Sequence, residues 1–374
     1  MTKHVSALGA GGAWLLALGL LLAQAPEGAR YVEGMSRALD QVIGTLRGAP
    51  GMRAANSGTG EAPHHPLVFS VNLNFAHRAY VKQCSTDLLM SYVDGLKEAG
   101  AKRVDINPGL WPWNRHDQEN IAKYDALVRH IRELGLQLAW NPSYWPEDAR
   151  VTTLADWEQA ALPVYAEMAR RYKPDIFSVI HEPTTMNQRM RIHTGPGQWR
   201  QFAERAAQVV KRASPQTRVA AGAVQWEMSY FQEFATIPDL DLLSVDIYFL
   251  KGLPTFVKMA RIAHQNGKEV YLEETWRYTV LKEGAAGGRR RRDVANQAFE
   301  DLDIKWLEAM VLFANKYGLS AVTPFWSTAL FTYRPESMDA SDPRFFRAVS
   351  EDIKRGTRTR YFQKYRELAQ QYGR

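Results

Sequence analysis

The chain has 374 residues, 47 Lys and Arg against 40 Asp and Glu for a formal charge of +7, and 45% hydrophobic residues. These values lie near globular norms and exclude a largely disordered, collagen-like or polytopic membrane protein. The positive surplus is local, in Arg289 to Arg292 and at the C-terminus, so charge makes no case for nucleic acid. A lone Cys84 forms neither an internal disulfide nor a Cys-based metal cluster. In chain order, Lys3 and His4 precede an apolar run from Ala13 to Ala23, and Ala23-Gln24-Ala25 has the small-x-small form of a signal-peptidase site. Residues 1–25 therefore read as a signal peptide. Pro26 disfavours the cut, which leaves an uncleaved signal anchor, and so a membrane tether, as the alternative. Either way the preceding positive charge places the remainder outside the cytoplasm, periplasmic or extracellular.

Residues 26–66 hold an amphipathic helix and a linker. Val32, Met35, Leu39, Val42, Ile43 and Leu46 recur at helical spacing, and from Gly48 to Pro66 the composition turns to Gly, Ala, Ser, Asn and Pro. From Leu67 onward eight short apolar runs alternate with longer amphipathic stretches. The runs are Val68–Asn72, Arg103–Ile106, Gln137–Trp140, Ile176–Ile180, Val219–Val224, Leu242–Tyr248, Val270–Glu273 and Ala321–Phe325. Helices are expected between them, among them Asp87–Ala99, Ala122–Leu134, Gln198–Arg212 and Val294–Tyr317, with Gly100, Gly135 and Gly318 as C-terminal caps. Strand then helix, eight times over residues 67–355, predicts an α/β chain of the (β/α)8 TIM-barrel class. A doubly wound sheet is the alternative, weakened because no Gly-rich loop follows the first strand. Residues 356–374 form a basic amphipathic helix carrying Tyr361, Phe362, Tyr365 and Leu368, which packs on the barrel or meets a membrane or partner.

In such a barrel chemistry sits at the C-terminal strand ends. Those ends supply Asn72 and Asn74; Asp105, then Trp111 and Trp113; Trp140, Asn141 and Trp145; His181 and Glu182; Trp226; Asp246 and Tyr248; Glu274 and Trp276; and Trp326. Indoles stack on the flat C–H faces of pyranose rings while Asn, Asp and His serve the hydroxyls, so this mixture predicts a carbohydrate cleft. Glycosidic cleavage needs one carboxyl to protonate the leaving oxygen and another to attack or stabilise the anomeric carbon, and Glu182 and Glu274 end strands four and seven. Glu273 competes with Glu274. Alternation from Leu272 is expected to put Glu274 on that residue's face. Asn72 and Asn74 stand where metal-dependent barrel hydrolases carry His-x-His, and no metal or organic cofactor is expected.

In the order of these features the sequence resembles the clan A superfamily of retaining glycoside hydrolases, whose barrels carry an acid/base Glu after strand four and a nucleophile Glu after strand seven. The resemblance implies that His181-Glu182-Pro183 is the acid/base motif and Glu274 the nucleophile. It also implies that Tyr248 contacts the nucleophile and that Trp326 is the strand-eight sugar platform. His181 departs from the usual Asn, and the Arg often present on strand two has no clear counterpart. The implied activity is retaining hydrolysis of a polysaccharide or oligosaccharide, β-linked, in which ionised Glu274 attacks while Glu182 donates its proton and later serves as base for water. The alternatives are a non-hydrolytic carbohydrate-binding barrel and an envelope transglycosylase. A solvated loop is the plainer reading of Arg289 to Arg292, with an anionic glycan or phosphate surface as the other.

Overall fold

A computed structural model of the chain describes residues 29–48, 67–142, 151–277, 296–333 and 343–373. The apolar N-terminal run, the linker, Trp145 and Arg289 to Arg292 lie outside the described residues. The eight strands are β1 (Val68–Asn72), β2 (Arg103–Ile106), β3 (Gln137–Trp140), β4 (Ile176–Ile180), β5 (Arg218–Val224), β6 (Leu242–Ile247), β7 (Glu269–Thr275) and β8 (Ala321–Pro324). They pair in parallel in chain order and close between β8 and β1, the topology of a TIM barrel.

Side-chain alternation sorts each strand into two faces. One layer inside the barrel is apolar and mixes small with large side chains: Ala139, Ile176, Ala220, Leu242, Tyr271 and Ala321, with Val68 packed against it. Two residues further along the strands the interior turns polar, with Ser70, Arg103, Asp105, Ser178, Ser244, Glu273 and Thr323 all buried. Arg103 donates to Asp105 at 2.9 Å and to Ser70 at 3.1 Å, and lies over the Tyr271 ring. The opposite face, including Val104, Leu138, Phe177, Leu243 and Leu272, belongs to the large core under the helices.

The helices begin and end on local signals. Ser85, Asp117 and Thr153 cap their helices by accepting from the N–H of Leu88, Asn120 and Asp156. Gly100 and Gly135 follow helix ends at φ of +97° and +67°, a left-handed conformation that other residues adopt only at a cost. The amphipathic N-terminal helix spans Ala29–Gly48 and buries Leu39, Val42 and Leu46. Its partner is the helix Asn296–Tyr317, where Lys305 donates to Ser36 at 2.8 Å and to Asp40 at 2.7 Å, and Glu308 accepts from Arg47. The C-terminal helix Arg360–Tyr372 packs on the barrel, burying Tyr361, Phe362, Tyr365 and Leu368, with the Tyr365 hydroxyl on the Ser70 carbonyl at 3.1 Å. Among the described residues no helix is long and apolar enough to cross a membrane.

Candidate active site

Glu182 owes its position to an irregular strand end. The β4–β5 register shifts between Ser178 and Ile180, and such bulges re-aim the side chains that follow. Glu182 then takes a left-handed backbone, φ 51° and ψ 73°, which in a residue with a side chain costs about 1–2 kcal/mol and must be held by its surroundings. Pro183 opens the next helix, Pro183–Met190, and Glu182 makes no capping bond to that helix. Its carboxylate instead accepts from the Tyr248 hydroxyl at 2.7 Å.

Glu274 arrives by a second irregularity, and the alternation expected from Leu272 does not describe it. Leu272 faces the helices, so alternation points Glu273 into the barrel. There Glu273 Oε1 accepts from Asn141 at 2.9 Å and Oε2 from the Ser244 hydroxyl. Gly222 makes room for it, since a Cβ at that position would collide with the Ser244 hydroxyl and stand 3.0 Å from Glu273 Oε2. The β6–β7 register then steps from Val245↔Leu272 to Asp246↔Glu274, so consecutive glutamates both reach the interior side. Glu274 Oε1 accepts from Trp276 Nε1 at 2.8 Å, and Oε2 lies 3.9 Å from His181 Nε2.

Charge in this mouth is tightly linked. Burial alone would lower the His181 pKa, but Asp246, bonded to Nε2 at 2.7 Å, and Glu273 behind it raise it well above 6.5. Burial likewise pushes Asp246 well above the usual carboxyl range, opposed by His181, so the two groups share a proton across the 2.7 Å bond. Burial pushes Glu274 up to about 7; His181 opposes that rise, the neighbouring Glu182 adds to it, and hydrogen bonds from Trp276 and Tyr248 oppose it again. The Tyr248 hydroxyl donates its one proton to Glu182 and lies near enough to Glu274 to weigh on its charge.

The other expected residues divide. Trp276 and Trp326 are partly open, edge to face at 6.0 Å, with Tyr248 5.4 Å from Trp276, and Trp276 borders Glu274 through its Nε1 bond. Trp226 is 55% exposed and donates to Thr184 Oγ1 at 3.2 Å on the rim. Trp111, Trp113 and Trp140 do not offer faces to a cleft. Trp140 follows the interior Ala139 and so points outward, stacked on Tyr172 at 4.7 Å, with Trp113 at its edge; Trp111 is buried under the Lys82 ammonium. Asp105 is held inside the barrel by Arg103. The Asn74 amide is taken up by the Phe325 carbonyl, Ser327 and Thr328, which makes it a brace for the β8 loop. Asn72 leans on the Glu273 carbonyl at 3.5 Å, and Asn141 joins Glu273 to His181 Nδ1 at 2.9 Å.

His181, Glu182 and Asp246 have ligand-type atoms within 4.8 Å of one another, close enough to hold a cation. An imidazole that donates Nε2–H to Asp246 has no lone pair left there, and its Nδ1 is met by Asn141, so the set is built for proton sharing. Two further groups at the mouth, Arg189 and the Glu227 that ends the strand-five run Gln225-Trp226-Glu227, were given no role from the sequence. Arg189 lies close enough to Glu182, Glu274 and Tyr248 to feel their charge. Glu227, fully buried at the end of β5, is pushed up to about 7 by burial against its hydrogen bonds to Thr184 and Val224. A third carboxylate in the strand-end register of Glu182 and Glu274 was the available signal for Glu227.

No family model matches the chain, and no curated protein does. Among solved structures, a glucosidase from Croceicoccus marinus is 14% identical over 74% of this chain and 63% of its own, with a TM-score of 0.49. A β-galactosidase from Rahnella sp. R3 is 12% identical over 82% of this chain and 57% of its own, TM-score 0.49. GH5_18 from Streptomyces cattleya, in complex with GlcNAc, is 13% identical over 78% of this chain and 80% of its own, TM-score 0.47. The chain thus spans less than two thirds of the glucosidase's length. The closed eight-stranded topology carries the fold assignment by itself.

Proposed function

We propose that the chain is a retaining glycoside hydrolase acting on β-linked polysaccharide or oligosaccharide, with Glu274 as nucleophile and Glu182 as acid/base. The observation that supports this reading is that Glu182, bonded to Tyr248, and Glu274, bonded to Trp276, stand in one mouth where the Tyr248 and Trp276 rings lie 5.4 Å apart, with the indole of Trp326 next to Trp276. The rings offer a sugar its stacking surface, and His181, beside Glu274 Oε2, stabilises the carboxylate that attacks. Attack forms a bond from Glu274 to the anomeric carbon while the departing oxygen takes the proton of Glu182. Esterification then removes the charge beside Glu182, which suits it to draw a proton from water in the second step. On the same reading the N-terminal apolar run directs the barrel out of the cytoplasm, which fractionation of cells expressing the whole chain would check.

The test is a screen of the whole chain on β-linked polysaccharides and aryl glycosides, with the first-formed anomer read by NMR. Retained configuration is expected, together with carboxyl groups about 5 to 5.5 Å apart in a crystal structure. Inverted product would remove the nucleophile assignment. Sugar binding without turnover would make the chain a binding barrel, and predominant transfer to an added sugar acceptor would make it a transglycosylase.

A further inference from the structure

Glu182 stands immediately before its helix, where a side chain ordinarily satisfies the free backbone N–H groups of the first turn. It does not do so, because its carboxylate is turned to Tyr248, and Pro183 has no N–H to offer. The first free donor of the helix is the Thr184 N–H, and a different strand satisfies it. Glu227 Oε1 accepts from the Thr184 N–H at 2.6 Å and from the Thr184 hydroxyl at 2.5 Å. Its second oxygen accepts from the Val224 N–H at 2.9 Å, which fixes the carboxylate to the end of β5. The neighbouring Trp226 donates from Nε1 to the Thr184 hydroxyl at 3.2 Å, orienting that hydroxyl toward Glu227. The end of β5 thus grips the residue two places beyond Glu182, in a segment whose left-handed turn needs an external hold.

We infer that Glu227 is a positioning residue for Glu182: by capping the helix Pro183–Met190 from β5, it frees the Glu182 carboxylate for the cleft and locks the backbone that aims it. This rests on the reading of Glu182 as the acid. Glu227 does not touch the reacting atoms on this account, and its loss is felt only through the placement of Glu182.

The experiment compares wild type with Glu227→Ala, Glu227→Gln and Thr184→Val on two glycosides of the same sugar, one with a strongly activated aryl leaving group and one with an unactivated alkyl leaving group. A misplaced acid hurts the second and spares the first. For Glu227→Ala, kcat/KM on the alkyl glycoside should fall about 100-fold and that on the activated aryl glycoside less than about threefold. Gln keeps an oxygen for Thr184 but sets an amide N–H against the Val224 N–H, so it should lose about tenfold on the alkyl substrate, and Thr184→Val about as much. Should the Ala variant not fold, the Gln variant carries the same comparison. Equal losses on both substrates, or no loss on either, overturn the proposal. A crystal structure of Glu227→Gln or Glu227→Ala gives a readout independent of turnover. Glu182 should leave positive φ and part from Tyr248, and an unmoved Glu182 overturns the proposal even if wild type hydrolyses glycosides. If wild type cleaves no glycoside, the hydrolase reading fails, and the crystal comparison still decides whether Glu227 places Glu182.

Discussion

Trp113 and Trp140 belong to the ends of strands two and three, Trp276 and Trp326 to the ends of strands seven and eight, and the two pairs have opposite surroundings. Trp140 lies within β3, one residue past an inward Ala139, so the pleat turns it toward the helices, where it stacks on Tyr172 beside Trp113 and Tyr124. Trp276 and Trp326 come after β7 and β8 have ended, where the pleat no longer dictates direction, and they meet edge to face beside Glu274. Trp140, still inside its strand, packs under the helices, and Trp113, on the short helix Trp111–Asn114, packs with it, whereas Trp276 and Trp326, just past their strand ends, are partly open.

That contrast can be broken by truncation on each side. Trp140→Ala empties a site enclosed by aromatic rings and should lower unfolding free energy by about 3–5 kcal/mol, read as a shifted urea midpoint. Stability within about 1 kcal/mol of wild type would show that the ring stack is not the support described. Trp326→Ala should do the reverse, leaving the urea midpoint nearly in place while weakening oligosaccharide binding by about 1–3 kcal/mol in calorimetric titration. Wild-type affinity in that variant would remove Trp326 from the cleft.

A smaller effect sharpens the electrostatic side of the same comparison, because the mouth titrates and the aromatic stack does not. Glu274 is lifted from 4.5 to about 7. A carboxyl with a higher pKa folded than unfolded holds a proton that the unfolded chain has already released, so stability should fall as pH rises from about 4.5 to about 7. His181, also raised, acts in the same direction: its stabilisation is complete below about 6.5 and is lost as pH rises through its folded pKa. The melting temperature should therefore decline from pH 5 to pH 8, and less steeply in Glu274→Gln. The acid limb of kcat/KM should bend near 7, since only ionised Glu274 attacks. A flat limb down to pH 5 would contradict the burial argument for Glu274.

Much of the barrel was legible because its strands are short β-branched and apolar runs punctuated by polar ends, and β1 to β4 occupy the stretches read from sequence, Val68–Asn72 through Ile176–Ile180. Glu182 and Glu274 were legible as strand-end carboxylates. Which way side chains point near those ends was not, because two register shifts, after Ser178 and after Val245, break the period-two rule on which such reading depends. Glu273, read as a rival to Glu274, follows alternation into the barrel, where it is bound to Asn141 and Ser244; the expectation failed because the face of Leu272 is the helix side, and only the register step after it brings Glu274 to the mouth. Tyr248 was expected on the nucleophile; its 2.7 Å hydrogen bond goes to Glu182, with Glu274 also within its reach. Asn74 carried no local mark of being committed to Phe325, a partner far away in sequence, whereas Arg103, two residues from Asp105 on the same strand face, was the local mark that Asp105 is committed inside the barrel.

The most direct measurement is the anomeric configuration of the products formed with azide by Glu274→Ala and Glu182→Ala from an activated aryl glycoside. With Glu274 truncated, azide should attack from the vacated face and give a glycosyl azide of inverted configuration. With Glu182 truncated, the good leaving group departs without its acid, Glu274 is glycosylated, and azide traps that intermediate with retention. The reverse pattern would exchange the two roles, and rescue confined to a Glu273 variant would move the nucleophile to the residue inside the barrel.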